Sequence, residues 1–283
     1  MNGTDMSTAK PDNKQQIAFI GGGNMASAIM GGLLKNGTAA AQIQVVEPFD
    51  AQRDKLTKRF GVVCHTLPGP WLTGMNLVVW AVKPQIFKEA ALHARFHTKN
   101  ALHLSVAAGV RSDSIARWLG TERIVRSMPN TPALVGKGMT ALFAREAVKP
   151  ADRLLVESVV QPTGEYVWLD QETHLDAVTA LSGSGPAYVF YFIEAMIEAG
   201  MDMGLSREQA HKLSIGTFLG ASALAKASDE TPETLRANVT SKGGTTYAAL
   251  TSMEQDRVKT LFIRAMHAAK QRARELGDEF GSA

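Results

Sequence analysis

The chain has 283 residues, near the upper size for a single hydrophobic core, so two domains are expected. It is 45% hydrophobic and 20% charged, which excludes a disordered or fibrous chain. Its 30 Lys and Arg against 27 Asp and Glu leave a net charge of +3 with no dense basic run, so electrostatics implies no nucleic-acid partner. The single Cys64, set in Val62-Val63-Cys64, excludes an intrachain disulfide framework and a cysteine metal site, and reads as a packed thiol. No stretch reaches the ~18 uninterrupted apolar residues of a membrane span, so no membrane partner is expected. Residues 1–14 are polar and lack an apolar segment, so they read as a disordered tail on a cytoplasmic protein.

From residue 15 to 169, short apolar runs alternate with helical patterns. The first strand, Ile17–Ile20, runs into Gly21-Gly22-Gly23-Asn24-Met25-Ala26 and a helix over 24–36. This G-x-G-x-x-A match between strand and helix is the context of a dinucleotide-binding turn. Gly21 suits the tight turn, Gly23 lets backbone N–H groups approach a pyrophosphate, and Ala26 lets helix and strand pack closely. The next strand, Ile43–Glu47, ends on a carboxylate placed to accept from adenosine ribose hydroxyls, which favours NAD. Arg53, in a helix over 50–60, is within reach of a ribose 2′-phosphate instead, so the choice between NAD and NADP stays open.

The strand Leu77–Ala81 leads into Val82-Lys83-Pro84, where proline holds Lys83 extended and starts a helix over 84–94. Glu89, His93 and His97 recur every four residues there, but the absence of a metal-site motif makes a solvated helix end the better account, and no metal is expected. The strand Ala101–Val106 gives way to Ala107-Ala108-Gly109, small enough for a flat ring to lie against backbone, and then to a helix over 111–119. Strands follow at Arg123–Ser127, Met139–Phe143 and Glu165–Leu169. Such alternation predicts a mostly parallel sheet covered by helices on both faces.

Beyond residue 170 the pattern is helical, over 185–204, 206–227 and 254–276, with a short helix opened by Thr231-Pro232. Ser206 and Gln209 form a capping box, and Gly277 is expected to end the last helix. The helix over 185–204 is apolar on nearly every side, and a partner subunit is the economical way to bury it.

Three polar or glycine-rich segments remain. Met128-Pro129-Asn130-Thr131-Pro132 is a stiffened backbone around one amide, and Ser182-Gly183-Ser184-Gly185-Pro186 admits something bulky near a helix N-terminus. Ser241-Lys242-Gly243-Gly244-Thr245-Thr246 precedes a helix beginning near Tyr247 and makes an anion cradle suited to a carboxylate.

Together the segments GGGNMA, AVKP, AAGV, MPNTPA, SGSGPAYVF and SKGGTT resemble pyrroline-5-carboxylate reductase from Ile17 to about Leu276. The resemblance implies a Rossmann dinucleotide-binding domain over 15–169, followed by an all-α substrate-binding and dimerisation domain over 170–283. It implies NAD(P)H-dependent reduction of a small cyclic imine carboxylate, 1-pyrroline-5-carboxylate, to L-proline, the last step of proline biosynthesis. It also implies homodimers formed through the C-terminal helices, commonly assembled into decamers. Gly21, Gly23, Asn24, Met25, Glu47, Val82, Lys83, Pro84, Ala107 and Ala108 then bind the cofactor. Ser241, Gly243, Gly244 and Thr245 bind the substrate carboxylate, and Thr246 binds substrate as the donor to the imine nitrogen. Asn130 and Ser182 border the substrate and, with Lys83 and Pro186, the nicotinamide. Lys242 departs from the proline usual in the family's motif; the looser loop gains a cation suited to a carboxylate.

Two rival readings are weaker. A β-hydroxyacid dehydrogenase would carry a Lys and an Asn after its glycine-rich substrate loop, where this chain reads Ala187-Tyr188-Val189-Phe190-Tyr191-Phe192-Ile193. A dinucleotide-binding redox sensor has no need of the Ser241–Thr246 cradle.

Overall fold

The computed structural model describes residues 15–281, and the expected tail at 1–14 lies outside the described residues. The described chain forms two compact units: one runs to Gly183 and takes in the segment from Lys270 onward, and the other is Ser184–Ala269.

The first unit is built on an eight-stranded sheet. Its elements in order are β1 (Ile17–Ile20), α1 (Asn24–Lys35), β2 (Ile43–Val46), α2 (Asp50–Phe60), β3 (Val63–His65), β4 (Leu77–Trp80), α3 (Pro84–Ala94), β5 (Leu102–Ser105) and α4 (Ser112–Leu119). They continue as β6 (Ile124–Met128), β7 (Gly138–Ala144), α5 (Pro150–Val160), β8 (Gly164–Trp168) and α6 (His174–Val178). The strands lie in the order β3-β2-β1-β4-β5-β6-β7-β8, parallel except at β6–β7. The order reverses between β1 and β4, the switch point where a doubly wound sheet binds ligands beyond its carboxyl ends.

Both faces of the central strands are apolar and covered. Phe19, Val45, Val79 and Leu104 pack on one face beneath α1 and α5; Ile20, Val78 and Trp80 pack on the other with Phe87 of α3 and Ile115 of α4. Such continuous burial explains why these strands read as apolar runs rather than alternating ones. His103 is a polar residue in this core. Its Nδ1 accepts from Trp80 Nε1 at 3.0 Å, while Nε2 lies 3.2 Å from the Thr98 carbonyl, so the ring is neutral with Nε2 protonated. Complete burial pushes its pKa down to about 4.

The second unit contains α7 (Gly185–Asp202), α8 (Arg207–Ala227), α9 (Pro232–Asn238), α10 (Thr245–Gln255) and the first half of α11 (Val258–Gly281). The capping box forms as expected, with Ser206 Oγ accepting from Gln209 N–H at 3.2 Å and Gln209 Oε1 accepting from Ser206 N–H at 2.9 Å. Close approach of α7 and α8 depends on Gly200, where a Cβ would stand 2.9 Å from the Ala210 Cβ.

By contacts the first unit extends to Gly183, with Leu175 and Ala180 buried and Glu172 tied to its sheet. Two helix boundaries need correction. The helix expected over 254–276 starts at Val258, since α10 continues to Gln255 and Arg257 takes a left-handed φ of 55° between the two. Nor does Gly277 end α11, which runs to Gly281. Gly277 faces Arg111 there, with a Cβ 3.2 Å from Arg111 Nε, so the glycine serves close packing rather than termination.

Candidate active site

The loop after β1 is closed on one side and open on the other. Gly21 has a φ of +96°, and a Cβ there would lie 2.6 Å from the Ala81 carbonyl oxygen, so only glycine fits. That contact joins the β1 and β4 loops at the switch point. A Cβ on Gly22 would collide with Leu56 Cδ1 at 2.4 Å, whereas one on Gly23 meets nothing within 4 Å. Gly23 is the N-cap of α1, and no side chain caps that helix. Its first-turn N–H groups, on the exposed Asn24 and half-buried Met25, therefore offer donors and a positive dipole end to an anion. This open glycine cradle fits a dinucleotide pyrophosphate.

Glu47 directly follows β2 and is almost buried, 7% exposed. Its Oε2 accepts from Gly22 N–H at 2.9 Å and its Oε1 from Phe49 N–H at 3.1 Å, so the carboxylate also braces the glycine loop. Arg53 folds back on the strand end: Nη1 donates to the Glu47 and Pro48 carbonyls at 2.8 and 2.7 Å, and Nη2 pairs with Asp50. Gln52 Nε2 donates to the Gly22 carbonyl at 2.5 Å.

Lys83 is the exposed N-cap of α3, extended at φ −64° and ψ 144°, with Pro84 in the first turn and Val82 half-buried behind it. Ala107 is buried and its N–H donates to Ser105 Oγ at 3.3 Å, while Ala108 is half-buried. The end of α11 covers this loop, because a Cβ on Gly109 would stand 3.3 Å from both Leu276 and Phe280, and Arg111 pairs with Asp278 at 2.5 Å. Nothing in the sequence pattern announced that cover.

Asn130 and Ser182 meet directly. Asn130 Nδ2 donates to the Ser182 carbonyl at 3.3 Å and to its Oγ at 3.2 Å, while Asn130 Oδ1 accepts from Met139 N–H at 2.9 Å. Gly183 lies so close that a Cβ would touch Met128 Cε at 2.3 Å. Ser182 and Gly183 end a π-helical turn over Thr179–Gly183, a widening of the helix often found at functional sites. Pro186 lies half-buried in the first turn of α7.

In the second unit, Gly244 caps α10 with extended backbone and no side-chain bond. Gly243 has a φ of +76°, which favours glycine, and Gly244 N–H donates to the Ser241 carbonyl at 3.0 Å. A Cβ on Gly244 would crowd Ser241 Oγ at 2.7 Å, so the hydroxyl lies beside the helix start. Thr245 is exposed and Thr246 half-buried in that first turn. The N-terminus of this helix, uncapped by any side chain and flanked by three hydroxyls, has the chemistry to receive an anion. Among the described residues no group of three or more His, Cys, Asp or Glu side chains could hold a metal ion, and no helix is long and apolar enough to cross a membrane.

Comparison with known proteins places both parts of the chain in known families. Residues 172–276 match the family model described as pyrroline-5-carboxylate reductase dimerisation, and residues 16–109 match one described as NADP oxidoreductase, coenzyme F420-dependent. A pyrroline-5-carboxylate reductase of Pseudomonas aeruginosa is 41% identical over 268 residues, covering 94% of this chain and 98% of the relative. The solved Coxiella burnetii pyrroline-5-carboxylate reductase superposes with a TM-score of 0.87 at 38% identity, covering 93% of this chain and 99% of that one. The Plasmodium falciparum pyrroline carboxylate reductase, solved with NADP bound, gives 0.85 at 29% identity, covering 94% and 99%. With such likeness along nearly its whole length, the chain belongs to the pyrroline-5-carboxylate reductase family.

Proposed function

We propose that the chain reduces 1-pyrroline-5-carboxylate to L-proline with NAD(P)H, the last step of proline biosynthesis, in the cytoplasm. The observation that carries this reading is the second uncapped, glycine-led helix start at Gly244, separate from the one at Gly23. One cradle suits a pyrophosphate; the other leaves a place for a carboxylate substrate. Family membership supplies the reaction.

In this reading Gly21, Gly23, Asn24 and Met25 hold the pyrophosphate, and Glu47 accepts from the adenosine ribose. Val82, Lys83, Pro84, Ala107 and Ala108 border the nicotinamide half, with Asn130, Ser182 and Pro186 beside it. The bound reduced cofactor supplies the hydride that the imine carbon accepts. Ser241, Gly243, Gly244 and Thr245 bind the substrate carboxylate. The Thr246 hydroxyl would donate a hydrogen bond to the ring nitrogen, and the proton that nitrogen takes up as its carbon gains the hydride would come from solvent. Positioning of an already electrophilic imine supplies most of the acceleration, so no strong acid or base is required. Glu47 brings negative charge to the ribose end, and the Arg53 guanidinium is engaged with backbone carbonyls and Asp50. Both favour NADH over NADPH. The chain acts as a homodimer formed through the helices of its second unit, with dimers assembling into a decamer. The dimerisation match and the exposed apolar side chains of α7, Phe190 and Tyr191 among them, support the dimer.

The test is oxidation of NADH and NADPH, in parallel, by purified protein with 1-pyrroline-5-carboxylate. Stoichiometric L-proline with a faster NADH rate is expected. Folded protein that turns over neither cofactor would overturn the reading.

A further inference from the structure

Arg126 of β6 is almost buried, with its side chain 8% exposed, and a charge so placed needs a partner. That partner is Glu172, in the segment leading to α6. Glu172 Oε1 accepts from Arg126 Nη1 at 2.5 Å and from the backbone N–H of Ser112 at 2.6 Å. Its Oε2 accepts from Ser112 Oγ at 2.5 Å, and Arg145 Nη1 donates to that same hydroxyl at 3.1 Å. One carboxylate thus gathers three donors from two elements, β6 and the first turn of α4. Arg111, the N-cap of α4, makes no side-chain cap, so Glu172 caps that helix from a distant part of the chain.

Each anchored element continues straight into a segment proposed to border the nicotinamide. Ser112 follows the loop of Ala107, Ala108 and Gly109. β6 ends at Met128, two residues before Asn130. From Glu172 the chain runs through α6 to Ser182, which accepts from Asn130. The bonds therefore close a ring: Glu172 to Arg126, along β6 to Asn130, across to Ser182, and back through α6. Charge-assisted bonds are the shorter and stronger kind, and they fix geometry as well as adding energy.

We infer that Glu172 is a positioning residue, setting the distance between the Ala107–Gly109 loop and the Asn130–Ser182 pair so that the nicotinamide half of the dinucleotide is held for reaction. The inference rests on the reading of these loops given above. Glu172 touches neither cofactor nor substrate and acts through the backbone it anchors. A purely structural carboxylate would behave differently, since its loss would weaken every ligand in proportion to the loss of folded protein.

The distinguishing experiment uses full-length Glu172→Gln, which keeps the side-chain shape but cannot satisfy all three donors. Titration calorimetry compares NADH with ADP-ribose, which lacks the nicotinamide, alongside kcat, KM for 1-pyrroline-5-carboxylate and the thermal midpoint. NADH affinity is expected to fall about tenfold and kcat about tenfold or more, with ADP-ribose affinity within about twofold of the parent. Ser112→Ala, which removes only the hydroxyl bond, should shift the same readouts in the same direction by about threefold; it carries the test if Glu172→Gln does not fold. Equal losses for NADH and ADP-ribose, or no change in either, would overturn the inference. Parent protein that binds both ligands without reducing the imine would sink the reductase reading alone, while the two titrations would still decide the role of Glu172.

Discussion

Leucine is used in opposite ways by the two units. In the sheet, Leu77, Leu102 and Leu104 are completely buried; in the helices of Ser184–Ala269, Leu213, Leu219 and Leu224 are each more than half exposed. α7 is apolar nearly all round, yet within this chain it buries only Ile197 and Gly200. The first unit draws its core from its own sequence. The second keeps helical periodicity without enough neighbours to use it, which is how an element made for association looks when seen alone. On the proposed dimer, stability and assembly are separated along the chain, and substitutions can address each in turn.

The largest effect is expected in the sheet. Leu104→Ala should lower unfolding free energy by about 2–5 kcal/mol in urea denaturation, because it opens a cavity in a fully packed layer. Acid should act on the same unit through His103. Above pH 6.5 its imidazole is neutral in both folded and unfolded chains; between 6.5 and about 4 only the unfolded chain takes up the proton. Stability therefore falls as pH drops through that window, by about 3 kcal/mol at about 1.4 kcal/mol per pH unit, and levels off below it. Denaturation at pH 7, 5 and 4 should show that part of the slope missing in His103→Gln; an identical slope would mean that the ring titrates freely.

Thr246→Ala tests the second unit by function instead. Its residue sits at the start of α10, so turnover should fall by about 10²-fold, as for loss of one preorganised donor, with little change in urea midpoint. Unchanged turnover would remove Thr246 from the proposed chemistry. The smallest effect on the chain's own folding belongs to Leu219→Ala, within about 0.5 kcal/mol at high dilution. A larger loss appearing only at higher protein concentration would place Leu219 in a subunit interface and sharpen the contrast. A loss at every concentration as large as that of Leu104→Ala would break it.

Most of the sheet was legible from the chain, because β1, β2, β4 and β5 are apolar runs punctuated by glycine, proline or an abrupt change to helical spacing. β3 was not: three residues, Val63–His65, are too few for a pattern, and their strand character comes from pairing with β2. α5 was missed although Pro150 at its start and the buried Val156, Val159 and Val160 give a helical stripe. At the candidate site, the glycine loop and the Ser241–Thr246 cradle were recognisable because backbone conformation and helix starts are local matters. Arg126 appeared only as one residue of a strand, and Glu172 not at all, since nothing near either suggests a partner.

The sequence by itself determined most strands of the sheet, the helical character of the second unit, and which turns and helix starts are led by glycine. These follow from torsional preference, capping and periodicity, all of which act over a few residues. The tertiary structure decided that Gly277 is a packing position, that the end of α11 covers the Ala107–Gly109 loop, and that Glu172 caps α4 while pairing with Arg126. The last pair is 46 residues apart in sequence. Such a contact depends on the order in which strands join the sheet, and strand order is a property of the folded chain rather than of any segment within it.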